Sequence, residues 1–312
     1  MTLAPAPFGR VLTAMVTPFH KDGSLDVDGA ARVAEHLADH GHDGVVVSGT
    51  TGESPTTTTE EDGHVLRAVV EAVGHRLTVI AGVGTNNTAH SVELAVQAEK
   101  LGADGTLVVT PYYNKPTQQG VAAHFTAVAD ASGLPVMLYD IPGRSSVKIA
   151  AETYRVVAGH ERIVAVKDAV GDLHRGVRIM AETGLAFYSG DDVMNLGWLT
   201  HGASGVVSVV GHLAGREYAA MVAAVDRGDI DAALDTYRRL VPVVDVVMNR
   251  AQGAMTAKAA LQLLGVLDTR HVRLPLVPAD DDLVAEIRDV MTHAGLLKRQ
   301  SREMSSHDMS NP

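Results

Sequence analysis

The 312-residue chain has no cysteine. That absence excludes disulfides, thiolate zinc sites, iron–sulfur clusters and a cysteine nucleophile together. Aromatic residues are scarce, at 4% of the chain, so each tyrosine is worth weighing alone. No apolar run approaches the ~20 residues of a membrane-spanning helix. The Pro/Ala-rich start, Met1 to Arg10, has no apolar core of signal-peptide length. No run of Lys and Arg interleaved with aromatics occurs, and the formal net charge is −11, which argues against a phosphate-tracking surface. The expectation is a cytoplasmic protein with neither nucleic acid nor membrane as partner.

Several motifs are missing as well. There is no His-Glu-x-x-His, and Ser54 lacks the Gly-x-Ser-x-Gly context of a nucleophile elbow. Gly82-Val-Gly84-Thr-Asn-Asn87 lacks the third glycine of a dinucleotide fingerprint and follows the third strand rather than the first. His36, His40 and His42 cluster at a helix end, but no carboxylate or cysteine completes a ligand set, so no metal is expected. Asp191-Asp192 sits where a helix cap belongs, which is preferred to a Mg²⁺ site.

What is present is alternation. Runs rich in Val, Ile and Leu predict strands at about Val11–Val16, Val45–Ser48, Thr78–Gly82, Thr106–Thr110, Pro135–Asp140, Ile163–Lys167, Ala186–Ser189 and Gly205–Val209. Helical periodicity falls between them, for example over Val27–His40, Glu60–Val73, Ala89–Leu101 and Gly120–Ala131. Apolar strands alternating with helices imply parallel pairing buried on both faces, and this number of units is that of a (β/α)₈ barrel. After Val209 only helices are expected, at Arg216–Val225, Ile230–Met248, Met255–Leu264 and Asp281–Leu297. The organisation read from this is an extension over residues 1–10, a barrel over 11–225, a helical region over 226–297 and a disordered tail over 298–312.

Barrel enzymes build their sites at the carboxyl ends of the strands. Here those ends read Ser48-Gly-Thr50-Thr51-Gly-Glu53, Thr110-Pro-Tyr112-Tyr113-Asn-Lys115, Tyr139-Asp-Ile-Pro-Gly-Arg144, Val166-Lys167-Asp168 and Ser189-Gly190-Asp191-Asp192. Period-two alternation places Ile163, Ala165 and Lys167 on one strand face, with Val164 and Val166 on the other. An ammonium at the mouth of an apolar barrel is desolvated, its pKa falls, and the neutral amine becomes a Schiff-base nucleophile. Taken alone, Lys167 reads better as a salt-bridged strand-end lysine; the polar strand ends around it reverse that preference in favour of chemistry. Tyr139, on the face of Met137, points inward beside Lys167 and can move protons if Thr50 and Tyr113 relay them. Thr50 and Thr51 lie between Gly49 and Gly52, which leaves backbone N–H groups open to a carboxylate. Arg144 offers a fork for a second carboxylate.

In order and spacing from about Val11 to Leu297, these segments resemble the dihydrodipicolinate synthase family of the N-acetylneuraminate lyase superfamily. Tyr188-Ser-Gly-Asp-Asp-Val-Met-Asn195 followed by Trp198 is most similar to actinobacterial members. The resemblance implies condensation of pyruvate with L-aspartate 4-semialdehyde to 4-hydroxy-tetrahydrodipicolinate, in lysine and diaminopimelate biosynthesis. Lys167 would form the imine, Tyr139 would be the acid/base, and Thr50 and a neighbouring subunit's tyrosine at the Tyr113 position would complete the relay. Thr50 and Thr51 would hold the pyruvate carboxylate, Arg144 would orient the semialdehyde, and the Val207 backbone and Gly190 would border the substrate. The resemblance further implies a homotetramer, built as a dimer of dimers, with no metal or organic cofactor. A pyruvate-dependent sugar-acid aldolase of the same superfamily is the alternative enzyme, disfavoured by Arg144; a non-catalytic keto-acid-binding barrel is the alternative from another class. Two departures stand out. Ser145-Ser146 replaces the Thr-Gly of many relatives, and His90, Thr59 and Asp62 replace the Glu and two His that line a lysine-feedback pocket together with Asn86 and Tyr112. Weak or absent feedback by lysine is therefore expected.

Overall fold

The computed structural model describes residues 5–298. Eight parallel strands close into a barrel in sequence order: β1 Val11–Ala14, β2 Gly44–Val47, β3 Thr78–Gly82, β4 Gly105–Val109, β5 Val136–Asp140, β6 Ile163–Asp168, β7 Ala186–Ser189 and β8 Gly205–Ser208. β1 closes the ring on β8 through Leu12 opposite Val207. The helices of the outer ring are α1 Val27–Asp39, α2 Thr59–Val73, α3 Thr88–Lys100, α4 Gln118–Asp130, the single turn α5 Pro142–Ser145, α6 Ala151–Val157, α7 Leu173–Thr183, α8 Asn195–Thr200 and α9 Gly211–Asp226. α10 Ile230–Asn249, α11 Gly253–Leu263 and α12 Asp281–His293 follow. The (β/α)₈ barrel with C-terminal helices expected from the alternation is what the chain forms. The expected tail lies outside the described residues from 299 onward.

Local chemistry starts the helices where the loops must turn. Asp26, Asn87, Thr117, Asp172, Asp229 and Asp280 each accept a first-turn N–H, and Thr58 with Glu61 forms a reciprocal capping box. α12 stops at His293, short of the expected Leu297, because Gly295 takes φ +76° and turns the chain so that Leu296 N–H bonds back to Met291 O.

Two apolar layers result. Inside the barrel, Phe8, Leu12, Val46, Ile80, Met137, Ala165 and Tyr188 fill the lumen, with Phe8 N–H donating to Tyr188 Oη. Between sheet and helices lies a larger cluster that includes Val33, Val69, Phe125, Leu138 and Trp198. A third cluster runs from Val11 and Val206 into α9–α12, so the C-terminal helices share a core with the β1/β8 wall. One expectation needs correction. Ile163 packs in the outer layer and Val164 against the lumen, because the β5–β6 register slips between Val136 opposite Ile163 and Met137 opposite Ala165. The bulge resets the alternation, so of Ile163, Ala165 and Lys167 the last two alone share the inner face.

Candidate active site

β5 and β6 are in register at Tyr139 opposite Lys167, so the two side chains emerge side by side at the carboxyl mouth. Nζ of Lys167 lies 4.3 Å from the centre of the Tyr139 ring. Lys167 is 4% exposed, and among the described residues no carboxylate lies within ion-pair distance of its amine. Burial pulls its pKa down to about 8, only partly offset by Asp192 and aided by Arg144. Burial likewise pushes the Tyr139 phenol well above its ordinary value, so the hydroxyl is protonated near neutrality. Gly190 is required here by space: a Cβ at this position would stand 2.8 Å from Lys167 Cγ and 2.9 Å from Asp168 O.

Two adjoining cavities of about 350 and 490 Å³ meet over this pair, a size suited to small metabolites. Thr50, Tyr139, Ile141 and Arg144 line both. Thr51, Lys167 and Gly190 line the larger one, while Tyr112, Tyr113 and Ser146 line the other. The arrangement brings an amine, a phenol, two threonines and a guanidinium to one chamber. Val207 lines neither cavity with its side chain. Its side chain is buried in the lumen, and Val209, two residues on, lines the cavity. Tyr113 stands on the rim, 88% exposed with φ +72°. Among the described hydrogen bonds none joins Tyr139 to Thr50 or Tyr113, so a single subunit does not assemble the relay.

Asp191 and Asp192 divide the role expected of them jointly. Asp191 caps the short turn at Asp192–Met194 by accepting from Val193 N–H. Asp192 is 1% exposed and is no simple cap: it accepts from Ser208 Oγ, Tyr218 Oη, Asn195 Nδ2 and the N–H groups of Val209 and Val210. Five donors on one carboxylate tie the β7 and β8 ends together beside Lys167. The three histidines are spent on structure, His36 and His42 bonding to His212 O, Leu37 O and Thr13 Oγ1, and His40 to His36 O. Among the described residues no three His, Cys, Asp or Glu side chains are grouped to hold a metal.

Sequence reasoning missed part of the wall. Met248, Asn249, Gln252 and Gly253, at the α10–α11 junction, line the larger cavity. No local pattern marks them, since they reach the mouth only when the C-terminal helices fold back across it.

Fold and site together define a (β/α)₈-barrel enzyme with one buried, unpaired lysine stacked on a tyrosine at the carboxyl mouth. The chain belongs to the Dihydrodipicolinate synthetase family, whose model matches residues 7–294. It is 61% identical to the 4-hydroxy-tetrahydrodipicolinate synthase of Kineococcus radiotolerans over 93% of this chain and 94% of that one. Among solved structures it is similar to the DHDPS of Cyanidioschyzon merolae with lysine bound, at 43% identity and a TM-score of 0.90 over 94% of this chain and 100% of that one. The chloride-inhibited dihydrodipicolinate synthase of Acinetobacter baumannii complexed with pyruvate is 34% identical, with a TM-score of 0.88 over 93% and 99%. Among the described residues no helix is long and apolar enough to cross a membrane.

Proposed function

We propose that the protein condenses pyruvate with L-aspartate 4-semialdehyde to 4-hydroxy-tetrahydrodipicolinate through an imine on Lys167. The observation that carries the reading is the Lys167 amine, buried without a carboxylate and held 4.3 Å over Tyr139. Membership of the family and the pyruvate-bound relative support the first substrate.

The chemistry follows from the placement. Neutral Nζ adds to the pyruvate ketone, and loss of water gives the imine, with Tyr139 supplying the proton that lets hydroxide leave as water. The protonated imine acidifies the methyl group. The Tyr139 phenolate takes that proton to give an enamine, whose carbon attacks the aldehyde of the acceptor, and the phenol returns a proton to the new alkoxide. The acceptor's own amine then displaces Lys167 and closes the ring, which returns the free lysine. Thr50 and Thr51 hold the pyruvate carboxylate by backbone N–H groups, and Arg144 receives that of the acceptor. The exposed Tyr113 serves a neighbouring subunit, for which a homotetramer in the cytoplasm is the proposed setting. Borohydride trapping with pyruvate, peptide mass spectrometry and an aspartate-semialdehyde assay on one sample test this. An adduct on Lys167 with turnover supports the reading, an adduct without turnover moves the acceptor to another aldehyde, and no adduct removes the mechanism.

A further inference from the structure

The Thr50–Thr51 loop ends in Glu53, whose side chain turns away from the cavities. Glu53 Oε1 accepts from Lys258 Nζ of α11 at 2.5 Å, across 205 residues of sequence, with side-chain exposures of 1% and 0%. Its other oxygen accepts the Arg273 N–H at 2.9 Å. Lys258 also donates to His271 O and lies 4.3 Å over the Phe19 ring, whose ring centre stands 4.2 Å from Arg273 Cζ. Arg273 in turn grips Glu61, Thr56 O and Gly23 O. Within the loop, Glu53 N–H bonds to Thr50 O and Ser54 N–H to Gly49 O, so moving Glu53 moves the threonines. Glu53 itself holds φ +58°, a conformation that needs an external hold.

A buried ion pair is a poor source of net stability, because desolvation offsets most of the attraction; what it supplies is one defined geometry. We infer that Lys258, acting through Glu53, is a positioning residue for the Thr50–Thr51 loop and therefore for the pyruvate carboxylate. The C-terminal helices thus hold the substrate loop from behind. This rests on the proposed function, in which that loop binds pyruvate.

The test uses full-length wild type, Lys258→Met and the double variant Glu53→Gln/Lys258→Met, each assayed for melting temperature, for KM of both substrates and for the pyruvate concentration that half-saturates trapping. Lys258→Met leaves the buried Glu53 carboxylate without its ion-pair partner, holding only the Arg273 N–H, and lowers the melting temperature; the double variant removes that charge and recovers it. In both variants the pyruvate KM and half-saturation should rise roughly tenfold while the semialdehyde KM stays within about twofold. Should Lys258→Met fail to fold, the double variant decides alone. Recovery of pyruvate KM together with melting temperature in the double variant, or equal rises in both KM values, overturns the inference. Absence of a Lys167 adduct in wild type sinks the proposed function itself and takes this inference with it.

Discussion

Lys167 and Lys258 are both buried amines drawn down to about 8 by desolvation, and their neighbours give them opposite fates. Lys258 spends its donors on Glu53 and His271 O, whereas Lys167 faces an open chamber with only a ring against it. Trapping with pyruvate should label Lys167 and leave Lys258 unmodified. Because the neutral amine attacks, the trapping rate should climb as pH rises through about 8 and level off above it; a rate flat from pH 6 to 10 would contradict this. Ser146 illustrates a different residue-level effect. It takes φ +60°, with its neighbour Ser145 bonded to Ile141 O and Val147 O. Ser146→Gly should stabilise the fold by about 1 kcal/mol, read from urea unfolding, since glycine adopts this conformation without strain.

At the scale of elements, strain and clamping gather at the carboxyl ends of the strands. Among the described residues the non-glycines with positive φ are Ser48, Glu53, Tyr113, Lys115 and Ser146, all in loops around the mouth. Such conformations persist where surroundings over-determine them. The β5 and β6 ends show how. While Tyr139 and Lys167 face inward, the next residues, Asp140 and Asp168, face outward toward one guanidinium, that of Arg175, at 3.3 and 3.9 Å. Arg175 also donates to Ile149 O, and Tyr154 Oη to Asp140. Burial raises Asp140 to about 6 despite Arg175, so the carboxylate depends on this cation. Arg175→Met should therefore cost about 3–5 kcal/mol in urea unfolding. Adding Asp140→Asn should restore part of it, and no restoration would mean that packing, not charge, dominates.

At the scale of the molecule, buried neutral histidines set acid sensitivity. His124 in α4 is 3% exposed, bonds Thr88 Oγ1 through Nδ1, and is lowered from 6.5 to about 4 by burial. In that window the unfolded chain binds a proton that the folded chain refuses. The contribution of this group is thus present above 6.5 and lost as pH falls toward 4. Between those limits wild type should lose about 2–3 kcal/mol more stability than His124→Asn, which keeps the Thr88 bond. Regulation is the other whole-molecule property. The lysine-bound Cyanidioschyzon merolae relative shows what one family member accommodates. Here His90 bonds Glu93, and Asp62 accepts from Thr57. If His90 stands where, as the resemblance implies, a glutamate would face the effector's ammonium, lysine should inhibit only above the millimolar range; half-maximal inhibition at sub-millimolar lysine would refute this.

The alternation of apolar strands with amphipathic helices, and the polar residues closing each strand, were legible in the sequence because both are local. Side-chain period and strand-end position depend on a few neighbouring residues, so the local pattern singles out Lys167, Tyr139, Thr50, Thr51 and Arg144, and the resemblance adds Gly190. Tertiary structure alone decided the rest. The Val136/Met137 bulge turned Ile163 outward, the α10–α11 junction closed the cavity, Asp192 became a five-donor hub, and Lys258 found Glu53 from 205 residues away. Each of these depends on which distant surfaces meet once the barrel closes and the C-terminal helices dock, and no periodicity along the chain encodes that meeting.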